Sequence, residues 1–146
     1  MCCPGFIRYS LLFFFPLLFI VTSCKKKYPE GGNFSLISKK SRVANSWKIY
    51  SVKIDGKDST SSFQSQHYKY NLVINTDGSY ALMYFLNNVT ITEAGRWSLV
   101  NENTRISFEH MNGKYEWEIL KLKNRELWVY DTKFYGVKTE IQLIPF

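Results

Sequence analysis

The chain has 146 residues, a formal net charge of +7, and 45% hydrophobic and 17% aromatic residues. A chain of this length can bury roughly two thirds of its unfolded surface, enough for one core and not for two. The excess positive charge is confined to Lys25 to Lys57, which contains nine Lys and Arg residues and two acidic residues. The segment from Asp58 to Phe146 contains nine Lys and Arg residues and ten acidic residues, so it is nearly neutral. The aromatic-rich part therefore lacks the basic stripe that phosphate contacts require, which excludes a nucleic-acid-binding domain.

The first 23 residues have the three regions of a secretory signal peptide. Arg8 is the only charged residue before Cys24, and an eleven-residue apolar run extends from Leu11 to Val21. Small residues then precede the cysteine, as they do at a signal-peptide cleavage site. A membrane-spanning helix needs roughly 20 apolar residues, so the run is too short to be an anchor. Val21-Thr22-Ser23-Cys24 is therefore predicted to be a lipobox, with cleavage after residue 23 and acylation of Cys24.

Acylation of Cys24 limits the chemistry left to the mature chain. Cys2 and Cys3 would leave with the signal peptide, so no internal disulfide can form. The only histidines are His67 and His110, and a zinc site needs three or four clustered ligands. Both histidines are interpreted as surface loop residues, and neither a metal nor another cofactor is predicted.

Residues 24–35 are predicted to form a flexible basic tether. Lys25 to Lys27 follow the cysteine, and Pro29 and Gly31-Gly32 precede any regular pattern. The lysines either lie against anionic headgroups or form a solvated, self-repelling tether, and the pattern leaves both alternatives open. From Leu36 to Asn45 the apolar residues recur at near-helical spacing. This segment is predicted to be a short helix that caps one end of the domain.

After residue 45 the pattern changes to alternation, with turn residues every eight to twelve positions, which is typical of an all-β meander. The first predicted strand has a phase slip between Ile49 and Val52, which indicates a β-bulge. The polar stretch Lys57 to Gln66 is predicted to be a loop over the barrel mouth. The predicted strands are Trp47 to Ile54, Tyr68 to Ile74, Tyr80 to Leu86, Val89 to Thr92 with Arg96 to Val100 (one strand broken at Ala94-Gly95, or two), Arg105 to Glu109, Tyr115 to Leu122, Glu126 to Thr132 and Val137 to Ile144.

Short connections make each strand pair with its predecessor. An open sheet with apolar groups on both faces would expose two edges, so closure is favoured. Residues 36–146 are therefore predicted to be one all-β domain, an up-and-down antiparallel β-barrel of about eight strands. A barrel of that size is either filled by its side chains or just wide enough for one small ligand, and the sequence leaves this open.

Four motifs, in matching order and spacing, resemble those of lipocalin-like lipoproteins from one group of Gram-negative bacteria. They are Asn45-Ser46-Trp47-Lys48-Ile49 with Val52 and Asp55-Gly56-Lys57-Asp58, then Ile74 to Tyr80, Gly95-Arg96-Trp97, and Ile119 to Trp128. The resemblance covers Leu36 to the C-terminus, and Cys24 followed by three lysines is also typical of that group. It implies an eight-stranded lipocalin-like barrel and no established activity.

Five aromatic residues are predicted to face the barrel interior and are the candidate ligand-binding residues: Trp47, Tyr70, Tyr84, Trp97 and Trp117. Aromatic walls offer a large contact area to a small hydrophobic ligand, and the alternative is that they fill the barrel. The strands Tyr115 to Leu122 and Glu126 to Thr132 are apolar on both parities, so Trp117, Trp128 and Tyr130 cannot be assigned to a face. That second apolar face is a candidate surface for a partner.

No catalytic site can be assembled from the sequence, because no nucleophile and base can be paired. The acidic combinations available for a carboxylate pair are Asp55 with Asp58, and Glu109 with Glu116 and Glu118. Such residues on strands and turns are usually solvated, so we expect a protein that is not an enzyme. Two functions remain: a lipid-anchored module that binds a small hydrophobic ligand, and a filled accessory barrel that binds a protein or an envelope polymer.

The residue after the predicted anchor bears on localisation. Lys25 stands where the inner-membrane retention rule of enteric bacteria requires Asp. No acidic run follows Cys24 of the kind that resembles a surface-export signal in the same bacterial group. We therefore expect an outer-membrane lipoprotein that faces the periplasm.

Overall fold

The computed structural model of the chain describes residues 36–132 and 136–146. The predicted signal peptide, Cys24 and the basic tether lie outside the described residues and stay predictions. None of the helices in these two ranges has the length and apolar content required to cross a membrane.

The first helix, α1 (Lys39–Val43), is shorter than the sequence pattern predicts. Ser38 begins it, because its side chain accepts a hydrogen bond from the Ser41 amide at 3.1 Å, as an N-cap does. Leu36 and Ile37 precede this cap and are 92% and 45% exposed. The predicted extent of Leu36 to Asn45 was therefore wrong, since local capping overrode the apolar spacing.

In the described ranges, nine strands and a second helix follow, and each strand pairs antiparallel with the next strand of the barrel. In chain order they are β1 (Ser46–Ile54), β2 (Lys57–Asp58), α2 (Thr60–Gln66), β3 (Tyr68–Ile74), β4 (Ser79–Leu86), β5 (Val89–Val100), β6 (Arg105–His110), β7 (Gly113–Lys123), β8 (Glu126–Asp131) and β9 (Thr139–Pro145). The two-residue β2 pairs only with the end of β1. The remaining eight strands close into a barrel through pairing of β9 with β1, which confirms the predicted fold class.

Two β-bulges explain the irregular apolar patterns of β1 and β7. The register of β1 against β9 shifts between Ile49 and Ser51, which confirms the predicted bulge. The register of β7 against β8 shifts between Ile119 and Lys121, a bulge that the sequence pattern did not reveal. It changes the inward parity along β7, which is why that strand is apolar on both parities.

Strand β5 is continuous over twelve residues, so the predicted break at Ala94-Gly95 was wrong. Gly95 is required by packing, since a Cβ atom there would lie 2.0 Å from the Glu109 carbonyl oxygen and 3.0 Å from the Tyr80 ring. The glycine therefore allows a close approach between strands and does not end one.

The α1 end of the barrel is solidly packed. Arg42 Nη1 donates to the Leu122 carbonyl at 2.7 Å, and Trp47 Nε1 donates to the Val43 carbonyl at 2.8 Å, so that α1 covers this end. The fully buried side chains in this half are Trp47, Leu72, Ile74, Ile106, Leu122, Leu127 and Leu143. This half provides the apolar core that stabilises the domain.

Helix α2 lies at the opposite end, where the sequence pattern predicts a loop. Its sequence contains a single apolar residue, Phe63, which is fully buried. Thr60 Oγ1 accepts from the Val52 amide at 3.0 Å, and the Ser59 amide donates to the Val52 carbonyl at 2.9 Å. One buried ring gives no apolar periodicity, so the helix depends on tertiary contacts that the sequence pattern cannot show.

Candidate ligand-binding site at the α2 end of the barrel

A polar side-chain cluster occupies the half of the barrel that α2 covers. The antiparallel order brings the last residues of β4, β6 and β8 together with the first residues of β3, β5 and β7. Glu93 of β5 lies directly opposite Leu82 of β4, a buried inward residue. Directly opposed residues share one face of a sheet, so Glu93 points into the barrel.

The Glu93 carboxylate is the centre of the cluster. Its Oε1 atom accepts hydrogen bonds from the hydroxyls of Tyr80 and Tyr115, each at 2.8 Å. Its Oε2 atom lies 3.8 Å from Nε2 of His110. The Glu93 and His110 side chains are only 14% and 18% exposed. A carboxylate in such a position needs charge-assisted hydrogen bonds, and the two phenols supply them.

Both phenols remain protonated donors at ordinary pH. Burial raises the pKa of Tyr115, and the nearby negative charge of Glu93 raises it further. Burial also raises the pKa of Tyr80, followed by its hydrogen bond to Glu93 and then by the negative charge of Glu93. Each hydroxyl thus presents a proton to Glu93 throughout the physiological range.

A second set of polar side chains lies beside the Glu93 cluster. The ring centroids of Tyr70 and Tyr84 are 6.2 Å apart, and Tyr70 is almost fully buried. Burial raises the pKa of Tyr70 well above its usual value, and the charges of Asp131 and Glu93 add to this effect. Asp131, at the end of β8, is itself buried opposite Thr139. Among the described residues, this part of the interior therefore brings together two carboxylates and four phenols.

Helix α2 covers this group through an aromatic contact. The rings of Phe63 and His67 stack with centroids 4.1 Å apart, and His67 lies 5.1 Å from Tyr84. His67 is only 7% exposed, and its Nδ1 atom is 3.1 Å from the Phe63 carbonyl oxygen. Burial lowers the pKa of His67. The interpretation of His67 and His110 as surface loop residues was therefore wrong, since both pack at the covered end.

The five predicted ligand-binding residues divide between the two halves of the barrel. Tyr70 and Tyr84 lie in the polar half, next to the Glu93 cluster. Trp47 belongs to the packed half, and Trp97 Nε1 donates to the Asn75 carbonyl at 2.7 Å, towards the same end. Trp117 is buried between them, with its ring centroid 4.9 Å from that of Phe108. Its Nε1 atom has no hydrogen-bond partner among residues 36–132 and 136–146.

Sequence reasoning missed the residues that form the polar cluster: Tyr80, Glu93, His110, Tyr115 and Asp131. The available signal was the alternation of Ile91, Glu93 and Trp97 on one parity of β5, which places Glu93 on the inward side. The supposed break at Gly95 concealed that alternation.

The outer face of β8 carries two aromatic residues covered by lysines. Lys121 Nζ lies 3.9 Å from the centre of the Trp128 ring, and Lys138 Nζ lies 3.6 Å from that of Tyr130. Both rings are half-buried on the outer face. The ammonium groups occupy ring surface that a partner would otherwise contact.

The acidic residues considered for catalysis lie on the outside of the barrel. Arg105 forms ion pairs with Glu116 at 3.5 Å and with Glu118 at 3.9 Å. Asp58 is exposed, and hydrogen bonds from Thr60 lower its pKa. Within the two described ranges, no group of three or more His, Cys, Asp or Glu side chains is placed to hold a metal ion.

Fold and site together define a closed, up-and-down β-barrel with one packed end and one polar end under a helix. The profile of the lipocalin-like domain matches residues 43–129. The chain belongs to this lipocalin-like family, which confirms the resemblance found in its motifs.

The fold is also similar to a solved structure, the crystal structure of a lipocalin-like protein from Bacteroides uniformis. The TM-score is 0.54 at 16% sequence identity, and the match covers 72% of this chain and 99% of that one. No curated protein matches the chain. The lipocalin-like fold is consistent with a barrel that binds a small hydrophobic ligand.

Proposed function

We propose that the protein is a lipid-anchored, non-enzymatic binding protein of the bacterial envelope that holds a small, mainly apolar ligand in the α2 half of its barrel. Glu93 carries this proposal. Burial of a carboxylate and its hydrogen-bond donors costs desolvation free energy, and apolar side chains at the same positions would not have this cost. Among the described residues, the buried titratable side chains His67 and Asp131 also lie in the α2 half, whereas the packed half has no buried His, Asp or Glu. A polar group retained beside aromatic walls is the arrangement typical of a ligand site.

The chemistry of the cluster favours a ligand with a hydrogen-bond donor. The two oxygens of a carboxylate together offer about four acceptor sites, so Glu93 can accept from a ligand in addition to the hydroxyls of Tyr80 and Tyr115. The aromatic rings of Tyr70, Tyr84 and Trp117 provide the apolar contact area. We infer an apolar molecule with an amine or hydroxyl group that donates to Glu93.

A fluorescent aromatic amine, N-phenyl-1-naphthylamine, tests this site. Titration into the purified protein should enhance the probe's fluorescence, and Glu93→Gln should weaken binding by roughly ten-fold or more, the effect expected for loss of a hydrogen bond to a charged group. Glu118→Gln removes a carboxylate from the outer face and should leave binding unchanged. Equal binding by all three proteins would exclude Glu93 as a ligand contact.

A second measurement tests the alternative function, in which the barrel is filled and the protein has an accessory role. Native mass spectrometry of protein extracted from membranes in detergent should reveal a retained small molecule. If no ligand is retained and the fluorescent probe does not bind, the interior is filled and the binding function is wrong.

We propose that Cys24 carries the lipid anchor and places the barrel at the outer membrane, facing the periplasm. The lipobox, the basic tether and Lys25 after the cysteine support this localisation. Full-length Cys24→Ser should accumulate as an unacylated precursor with the signal peptide attached, detected by intact mass, whereas Cys2→Ser should be processed normally. Lipidation of the Cys24→Ser protein would contradict the proposal, and recovery of the wild type in the inner-membrane fraction would contradict the outer-membrane assignment.

A further inference from the structure

The barrel wall has an opening between β1 and β3. The two strands pair only at Ser46 with Val73 and at Trp47 with Leu72, and β2 pairs with β1 only from Lys53 onwards. Between these points the described residues provide no strand for this edge of β1. Helix α2 replaces part of the missing pairing, because Gln64 Nε2 donates to the Ile49 carbonyl at 3.4 Å.

A groove of about 280 Å³ lies at this opening, at the side of the barrel. Its surface is formed mainly by Lys48, Ile49, Gln64, Tyr68, Lys69 and Phe146, with Tyr70 and His67 beneath them. Ile49 and Tyr70 are buried, whereas the rings of Tyr68 and Phe146 are 59% and 72% exposed. The groove is slightly smaller than the ~300 Å³ at which pockets for small molecules begin, so it suits a slender ligand that stays partly exposed.

The charge of the groove is positive. Lys48 Nζ lies 5.7 Å from the centre of the Phe146 ring, and Lys69 Nζ lies 5.5 Å from those of both Tyr68 and Phe85. No Asp or Glu is among the residues that line the groove in the part of the chain that the structure describes. Neither lysine forms an ion pair with any residue of that part. The ammonium groups therefore stand at the rim of an apolar surface with no Asp or Glu partner among the described residues.

One of the two lysines at the groove, Lys69 of β3, has an uncommon backbone conformation. Lys69 has φ 55°, and the register of β3 against β4 shifts between Tyr68 and Asn71. A positive φ is rare for a residue other than Gly, Asn or Asp. It leaves Tyr68 and Lys69 both exposed while Tyr70 faces inward. Strained backbone of this kind is frequent at binding sites.

We propose that this groove binds a fatty-acid-like carboxylate, with its alkyl chain along Ile49, Tyr68 and Phe146 and its head group at Lys48 and Lys69. Charge complementarity selects an anion, and the apolar surface selects an alkyl chain. The head-group lysines lie at the outer rim of the groove, and Tyr70 and His67 at its base separate the groove from the Glu93 cluster, where carboxylates would repel an anionic head group. The groove site does not depend on the proposed interior ligand.

Isothermal titration with decanoate, decyl phosphate and uncharged decanol tests the proposal. Decanoate should bind the wild-type protein, and the double variant Lys48→Gln with Lys69→Asn should bind it at least roughly ten-fold more weakly, because charge-assisted hydrogen bonds are lost. Asn is chosen at residue 69 because it tolerates a positive φ. Lys57→Gln removes the same charge outside the groove and should bind decanoate like the wild type.

Three results would overturn the proposal. Equal decanoate affinity in the double variant and the wild type would exclude the lysines, and decanol binding as tightly as decanoate would exclude the anionic head group. Decyl phosphate binding ten-fold tighter than decanoate would show that the head group is a phosphate.

Two further measurements separate this site from folding defects and from the interior site. In wild-type protein, decanoate should shift the methyl NMR resonances of Ile49 more than those of Ile106, a result that requires no variant. The Glu93→Gln variant should bind decanoate as the wild type does. Clearly tighter decanoate binding in that variant would place the head group inside the barrel, where Glu93 repels it, and would contradict the groove.

Discussion

The hydroxyl of Tyr115 donates to Glu93 Oε1 across 2.8 Å, although β5 and β7, which carry these residues, are not neighbours in the sheet. Strand β6 lies between them. The contact therefore crosses the interior of the barrel. Because Tyr80 of β4 donates to the same oxygen, one carboxylate oxygen links three strands at the polar end.

Tyr115→Phe should destabilise the protein. The change removes the hydroxyl and leaves Glu93 with one phenol donor, which should lower the free energy of unfolding by about 2 kcal/mol, the range for hydrogen bonds to charged groups. Urea unfolding measures this difference. Tyr130→Phe removes a hydroxyl from the outer face of β8 and should change stability by less than about 0.5 kcal/mol. Similar losses in both variants would show that the Tyr115 hydrogen bond has no special contribution.

Gly95→Ala should destabilise the barrel strongly. The new methyl group would lie 2.0 Å from the Glu109 carbonyl oxygen, so β5 and β6 would have to separate at the polar cluster. We expect a loss of about 3 kcal/mol or more, at the upper end of the range for overpacking, measured by thermal or urea unfolding. Ala94→Val enlarges the adjacent, exposed side chain and should be tolerated. A stable Gly95→Ala protein would contradict the close packing of Gly95.

Phe63→Ala should release α2 without unfolding the barrel. The change removes the only buried side chain of the helix and leaves hydrogen bonds to β1 and contacts with β3. Hydrogen exchange of the Phe63-to-His67 segment should become faster, while amides of β4 and β5 keep their protection. Ser62→Ala, on the exposed side of α2, is the matched control. Uniformly faster exchange across the barrel would show that α2 is part of the global folding unit.

The pH dependence of stability should report the burial of His67. Its pKa is lowered in the folded protein, so the folded state favours the neutral ring and the unfolded state binds a proton first. The free energy of unfolding should therefore be highest above about pH 6.5, the pKa of an unperturbed His, and should decrease as the pH falls towards the lowered value.

Comparison of the wild type with His67→Gln isolates this effect. Gln does not titrate, so the variant should lose the decrease that begins below about pH 6.5. Urea unfolding at a series of pH values measures the two profiles. Parallel profiles would show that His67 is not protected from protonation by folding.

The sequence allowed most of the barrel to be predicted because the relevant signals are local. Alternation identified the strands, turn residues separated them, and the phase slip between Ile49 and Val52 revealed a bulge. Short connections then implied sequential pairing and closure, which the structure confirms. The predicted lipobox at Cys24 also depends on local sequence, and it determines what the sequence says about localisation.

Only the tertiary structure decided which side chains meet inside the barrel. Helix α2 forms because one ring, Phe63, is buried against distant strands, and Gly95 is required because Glu109 and Tyr80 approach it from two sides. Glu93 and Tyr115 are separated by 22 residues and by a strand. Their contact depends on barrel closure and on the inward parity of a continuous β5. These are properties of the packed sheet, whereas turn and strand propensities act within a few residues.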